Sequence, residues 1–101
     1  MKSSKLPLIE SVYRWIDLYT FFNYPDEIRN TAYNYAIINQ SKLGRPHVSA
    51  ATAVMLACGS YGTEFNFSQI ADITVVHRSA TNVEPGIWFE SLKRTGSKWI
   101  S

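Results

Sequence analysis

The apolar residues of this chain recur at helical spacing over most of its length. Those of residues 6–22 fall three or four positions apart and form one stripe: Leu8, Val12, Trp15, Ile16 and Tyr19. That period predicts a first helix with one buried face. It ends before Pro25, because a residue that precedes proline disfavours the helical conformation. A second helix is predicted from Pro25 to about Gly44, since proline is favoured at the first helical position and Asp26 suits the first turn.

A third helix is predicted over residues 47–60, where small and apolar residues occupy more than one face. Ala50, Ala51 and Ala57 are examples of this pattern. Small side chains on two sides indicate a helix that packs closely against two neighbours. A glycine just past the last periodic residue is a usual helix end, and Gly62 is placed to end this one.

The segment 66–83 has the pattern of two short helices around a tight turn. Ser68 is the predicted N-cap of the first helix, and the apolar run 74–76 is the predicted turn. The second helix would begin at His77 or Arg78 and end before Pro85. This order is typical of a DNA-reading helix-turn-helix, in which the second helix enters the major groove.

Beyond that motif, a last helical segment is predicted over residues 87–94, and the basic end 93–98 is expected to fray. An alternative interpretation makes part of 72–79 a strand, since Ile-Thr-Val-Val favours β structure. That strand would pair with residues 87–89 in a hairpin.

The predicted fold class is therefore all-α, a compact bundle of about five helices that contains a helix-turn-helix. A chain of 101 residues fits a single helical domain over residues 1–101. Within it, residues 1–43 are an aromatic-rich helix pair and residues 44–94 are the helix-turn-helix region.

Charge changes this picture modestly. The net charge is +2, and residues 41–101 carry six basic against four acidic side chains. Phosphate contacts supply most of the nonspecific affinity for DNA, so a basic excess in the half that holds the motif favours double-stranded DNA as the partner.

The candidate DNA-binding residues fall into two groups. The tip of the second helix would read bases, because arginine pairs with guanine, asparagine pairs with adenine, and serine and threonine accept either. The base-reading candidates are Arg78, Ser79, Thr81 and Asn82, with His77 at the start of the same helix. The phosphate-binding candidates are Lys42, Arg45, Ser68, Gln69, Lys93 and Arg94.

Residues 42–92 resemble the C-terminal, origin-binding domain of the DnaA replication initiators. The resemblance lies in the Arg45-Pro46 entry to the third helix, in Phe67-Ser68-Gln69-Ile70-Ala71, and in the segment 78–83. It implies that Ser79 stands where that family has a base-reading histidine, that Thr81 contacts bases or phosphate, and that Lys42 lies near the adjacent minor groove. It also implies a sequence-specific DNA-binding protein, such as a small phage or plasmid transcriptional regulator or a replication accessory.

Nothing in the sequence favours catalysis, so we expect a non-enzyme without cofactor, metal or small-molecule substrate. His47 and His77 are 30 positions apart and no cysteine pair accompanies them, which gives a zinc site no support. Cys58 is the only cysteine and lies in an apolar run, where it is expected to be a buried core residue. A reduced, cytoplasmic protein without a membrane span is the corresponding expectation.

The alternative function is a small protein-binding module, for instance a phage factor that docks on a host protein. Aromatic residues crowd the first 35 positions, and tyrosine and tryptophan are favoured interface anchors. The same residues are candidates for a homodimer seam through the N-terminal helices, as in helix-turn-helix proteins that bind two half-sites.

Overall fold

The computed structural model describes residues 7–78 and 85–100, and within them it places five α-helices and one 3₁₀ turn. The helices are α1 (Leu8–Thr20), α2 (Asp26–Ile38), α3 (Pro46–Tyr61), α4 (Phe67–Arg78) and α5 (Pro85–Gly96), and the 3₁₀ turn covers Gln40–Lys42. No strand occurs in those residues. The all-α class is confirmed, and the hairpin alternative is wrong, because residues 72–78 and 87–89 are helical.

Helix α3 is the centre of the bundle. It packs against α1, α2 and α5, and four of its alanines have no exposed surface: Ala50, Ala51, Ala53 and Ala57. The small-residue pattern thus predicted its close packing correctly, with three neighbours in place of two. Pro46 lies at the start of α3, and Gly62 ends it with φ of 66°, a left-handed conformation that glycine adopts without steric cost.

Most of the predicted apolar stripe of α1 forms one wall of the core, but its first member, Leu8, is 41% exposed. Val12, Ile16 and Tyr19 are fully buried. On α2, Ile28 and Ala32 are buried at the same helical spacing, followed by Ala36 one turn later. Helix α2 ends at Ile38, several residues before the predicted end at Gly44, because the chain turns through the 3₁₀ segment.

The turn predicted at residues 74–76 is wrong, because α4 runs without interruption from Phe67 to Arg78. β-Branched residues favour helix weakly, but here tertiary packing outweighs that preference. Thr74 is fully buried one helical turn after Ile70, and its hydroxyl bonds the Ile70 carbonyl at 2.9 Å and the Tyr19 hydroxyl at 2.7 Å. The buried face of α4 therefore passes through the predicted turn.

Two further corrections concern the ends of α4 and α5. Asn66 caps α4 in place of Ser68, since its Oδ1 accepts the amide of Gln69 at 3.1 Å. Helix α5 begins at Pro85, two residues before the predicted start at Ile87, whereas the predicted helix end before Pro85 lies outside the described residues.

The basic end of the chain is ordered by tertiary contacts. Trp99 is buried, and the buried side chain of Asn39 bonds both backbone groups of Ile100. This segment was expected to fray, and the structure instead attaches it to the end of α2.

Candidate nucleic-acid interface

The structure separates the predicted DNA-binding residues into several places. Ser68 and Arg78 stand near opposite ends of α4, which is 12 residues long and therefore about 18 Å in length. Ser79, Thr81 and Asn82 lie outside the described residues. A reading helix that starts at His77 or Arg78 is wrong, because these residues form the last turn of α4.

Two of the predicted residues have other partners. The side-chain amide of Gln69 donates to Asn23 Oδ1 at 2.8 Å, which binds α4 to the end of α1. Lys93 pairs with Glu90 at 3.4 Å and lies 4.9 Å from the centre of the Phe89 ring. Both side chains therefore have a partner within the fold.

Three others come together in one place, which we call the cationic cleft. Lys42, Arg45 and Arg94 line an open cleft of about 710 Å³, together with Lys98. All four side chains are exposed. Among the described residues that line the cleft there is no carboxylate. Four cations without an acidic neighbour in the lining form a site for a multiply charged anion.

The walls of the cationic cleft are the connection from α2 to α3 and the C-terminal half of α5. The amide of Gly44 donates to Ser49 Oγ at 2.9 Å, which fixes the connection against the first turn of α3. Lys42 Nζ donates to the carbonyl of Lys98 at 3.0 Å and so joins the two walls directly. The hydrogen bonds between Asn39 and Ile100 attach the C-terminal residues next to Lys98 to the end of α2.

Two further features of the cleft are the N-terminal end of α3 and the side chain of Trp99. The first turn of α3 contributes Val48 and Ser49 to its lining, so the positive end of a helix dipole lies beside the four cations. Trp99 also lines the cleft and is 7% exposed. Its indole N–H has no acceptor among the described residues, and a buried donor of this kind is rare in folded proteins.

The second concave surface, which we call the apolar groove, lies between α1 and α4. It measures about 820 Å³, and the apolar residues of its lining are Leu18, Phe21, Phe22 and Ile73. Phe21 is 66% exposed and Phe22 is 88% exposed. Of the crowded N-terminal aromatics, Trp15, Tyr24, Tyr33 and Tyr35 pack against the core and Tyr19 is buried within it. Phe21 and Phe22 are not part of the core.

His47 lies between two tryptophans at the start of α3. Its ring stacks on Trp88, with ring centres 6.1 Å apart, and lies 5.9 Å from Trp15. Burial lowers the pKa of His47 to about 4, and the charges of Arg78 and Arg45 act in the same direction. His47 is therefore neutral at physiological pH and acts as an aromatic packing residue.

The described residues also bear on two other kinds of site, a reactive thiol and a metal site. Cys58 is fully buried, as predicted, and burial raises the pKa of its thiol to about 11. No three His, Cys, Asp or Glu side chains within residues 7–78 and 85–100 come together as ligands for a metal ion. In the same ranges, no helix is both long and apolar enough to cross a membrane.

Comparison with known proteins adds no relative to this picture. No family model, no curated protein and no solved structure matches the chain. The resemblance to the initiator domain stays a prediction, and the turn predicted at residues 74–76 is helical here. The cationic cleft and the apolar groove are thus the features from which a function is inferred.

Proposed function

We propose that this protein binds double-stranded DNA by placing the phosphate backbone in the cationic cleft. The observation that carries the proposal is the convergence of Lys42, Arg45, Arg94 and Lys98 on one cleft whose described lining holds no carboxylate. Exposed lysine and arginine side chains neutralise phosphates and release counterions, which is the main source of sequence-independent affinity.

The form of the cleft favours an extended polyanion over a small ligand. It is open, its cations stand on two walls, and the α3 N-terminus lies between them. A backbone that passes along such a cleft meets one cation after another, and each arginine can hold a phosphate through two parallel hydrogen bonds.

A helix-turn-helix remains part of the proposal, but it is formed by different helices from those predicted. In this arrangement α4 is the first helix, α5 is the second, and residues 79–84 connect them. The exposed face of α5 starts at Gly86 and Ile87 and continues to Lys93 and Arg94. Glu90 lies on the same face and pairs with Lys93. Ile87 is 67% exposed in the first turn of α5, where an apolar side chain can contact a thymine methyl group.

The test is DNA binding as a function of salt concentration, with Arg45→Ala/Arg94→Ala compared with wild type. We expect wild-type protein to bind a random duplex with a dissociation constant in the range of about 10⁻⁴–10⁻⁶ M. The double variant should bind roughly tenfold more weakly at low salt, and its slope of log K against log salt should fall by about one unit for each phosphate that is no longer neutralised.

The matched control is Arg29→Ala, which removes an arginine that pairs with Asp26 at 3.1 Å on α2. This control should bind like wild type. Equal affinity and equal salt slope for the double variant and wild type would overturn the assignment to this cleft. A wild-type protein that binds single-stranded RNA but not duplex DNA would overturn the assignment to DNA.

A further inference from the structure

The apolar groove exposes more aromatic surface than a helical bundle of this size needs to leave in water. Phe21 and Phe22 follow α1 directly and contact each other at a ring-centre distance of 4.6 Å. They line the groove together with Leu18 and Ile73. Val76, on the same side of α4 as Ile73, is 72% exposed. An apolar surface of this extent on a small protein indicates an interaction site.

The patch holds both kinds of element that a two-fold interface needs. It contains a protruding element, the Phe21–Phe22 pair, and a concave element, the groove between α1 and α4. A two-fold interface uses the same patch on both subunits, so that each copy supplies a protrusion to the groove of the other. A single surface with both elements meets this requirement, whereas a foreign partner would need only one of them.

The charges at the edge of the groove are also self-complementary. Arg14 lies on the α1 side and Asp72 on the α4 side, and both are exposed. Neither forms an ion pair within residues 7–78 and 85–100. Asp17, the other carboxylate of the edge, accepts the hydroxyl of Tyr33. A two-fold operation can therefore bring Arg14 of each copy to Asp72 of the other.

The available area agrees with a reversible dimer. An aromatic side chain buries about 150–250 Å², so the two phenylalanines of two copies would remove roughly 600 Å² from water. Stable interfaces bury about 1,200–2,000 Å² in total. The four rings supply about half of the smaller figure, and Leu18, Ile73 and Val76 on both copies extend the apolar contact.

We propose that the apolar groove is the interface of a symmetric homodimer, in which Phe22 of each copy enters the groove between α1 and α4 of the other. Arg14 and Asp72 pair across the two-fold axis at both edges. The cationic cleft shares no lining residue with the groove, so it stays open in the dimer. Dimerisation through the groove does not depend on DNA binding.

The test is sedimentation velocity of the full chain, without DNA, from micromolar to millimolar concentration. Wild type should change from monomer to dimer over this range. Phe21→Ser/Phe22→Ser should stay monomeric, with a dissociation constant raised by at least tenfold. Both residues are exposed, so the circular dichroism spectrum and the unfolding midpoint should remain close to those of wild type.

The matched control is Ile37→Ser/Ile38→Ser, a neighbouring pair of apolar residues that are 48% and 54% exposed at the end of α2. This variant should dimerise like wild type. Asp72→Arg should weaken self-association by placing two arginines together, and Arg14→Asp/Asp72→Arg should restore it.

Two results would overturn the proposal. One is a wild-type chain that stays monomeric up to millimolar concentration. The other is a dimer that the phenylalanine variant does not weaken, or weakens no more than the isoleucine control does. Failure of the double charge variant to restore the dimer, in a folded protein, would reject the two-fold pairing of Arg14 with Asp72.

Discussion

The cationic cleft and the apolar groove occupy one small bundle but expose different kinds of side chain. The walls of the groove belong to α1, the residues that follow it and α4, and Ile73 connects this lining to the hydrophobic core. The walls of the cationic cleft come from the α2–α3 connection and the end of α5, and polar bonds between distant residues join them. Long-range hydrogen bonds also join the groove walls, from Tyr19 to Thr74 and from Gln69 to Asn23, so the two surfaces differ in the side chains that they expose.

The difference also separates their ligands. A lining with cations and no carboxylate among its described residues favours a polyanion, because each charge adds to the same potential. A lining with exposed phenylalanines and edge charges of both signs favours an apolar, charge-matched surface. If the two surfaces are independent, substitutions should affect one without the other.

The largest expected effect tests whether α5 holds the cationic cleft. Leu92 is fully buried, on the helix that carries Arg94. Leu92→Ala should lower the free energy of unfolding by about 2–5 kcal/mol, because it removes buried methyl groups and leaves a cavity. Urea unfolding followed by circular dichroism measures this. The affinity of the variant for DNA should fall, whereas its self-association should stay closer to that of wild type.

The control for that prediction is Leu18→Ala in the apolar groove, where the leucine is 37% exposed. It should cost less than about 1 kcal/mol, since exposed side chains contribute little to stability. A Leu92→Ala variant that is as stable as Leu18→Ala would show that α5 is not anchored by core packing.

The next effect in size is a pH dependence of stability that arises at His47, which lines neither surface. Its pKa in the folded protein is about 4, against an ordinary value of 6.5, because the ring is buried and Arg78 and Arg45 are near. The unfolded chain therefore takes up a proton between pH 6.5 and 4 that the folded protein does not. Stability should be constant above about pH 6.5 and fall towards pH 4, by an amount on the order of 2 kcal/mol.

Urea unfolding at pH 7.5 and pH 5 measures this dependence, with His47→Gln as the comparison. The variant should lose the part of the pH dependence that His47 contributes, since glutamine does not titrate. An identical decrease in wild type and variant would assign the dependence to other groups. A change in DNA binding without a change in stability would place the effect in the cationic cleft.

Much of the fold follows from local patterns in the sequence. The stripe of Val12, Ile16 and Tyr19 predicted the buried face of α1, and the alanines of α3 predicted its central position. The continuous α4 was missed, because the preference of Thr74 and its valine neighbours for β structure is visible in the sequence and the bond from Tyr19 to Thr74 is not. That bond joins residues 55 positions apart.

The cationic cleft was predictable only in part, for the same reason. Lys42, Arg45 and Arg94 were recognised as phosphate-binding candidates, but nothing local indicates that they meet. Lys98 was assigned to a frayed end. Its position depends on the bonds of Asn39 to Ile100, across 61 residues. Residue type thus predicted the chemistry of the site, whereas its geometry follows from long-range contacts.

The smallest expected effect tests whether the apolar groove can be loosened alone. Tyr19 joins its two walls, because its hydroxyl contacts Thr74 Oγ1 at 2.7 Å and the His47 carbonyl at 3.4 Å. Tyr19→Phe should cost about 1 kcal/mol, the usual value of one hydrogen bond. The cost stays small because Thr74 still donates to the Ile70 carbonyl.

Urea unfolding and sedimentation velocity measure the two consequences, and Tyr35→Phe, at a half-buried tyrosine of α2, is the matched control. Tyr19→Phe should weaken self-association slightly and leave the affinity and the salt slope of DNA binding unchanged, because no lining residue of the cationic cleft contacts the Tyr19 hydroxyl. The opposite pattern, weaker DNA binding with intact self-association, would mean that the core transmits the change to α5. The two surfaces would then be coupled through α3, because α1 of the groove and α5 of the cleft both pack against it.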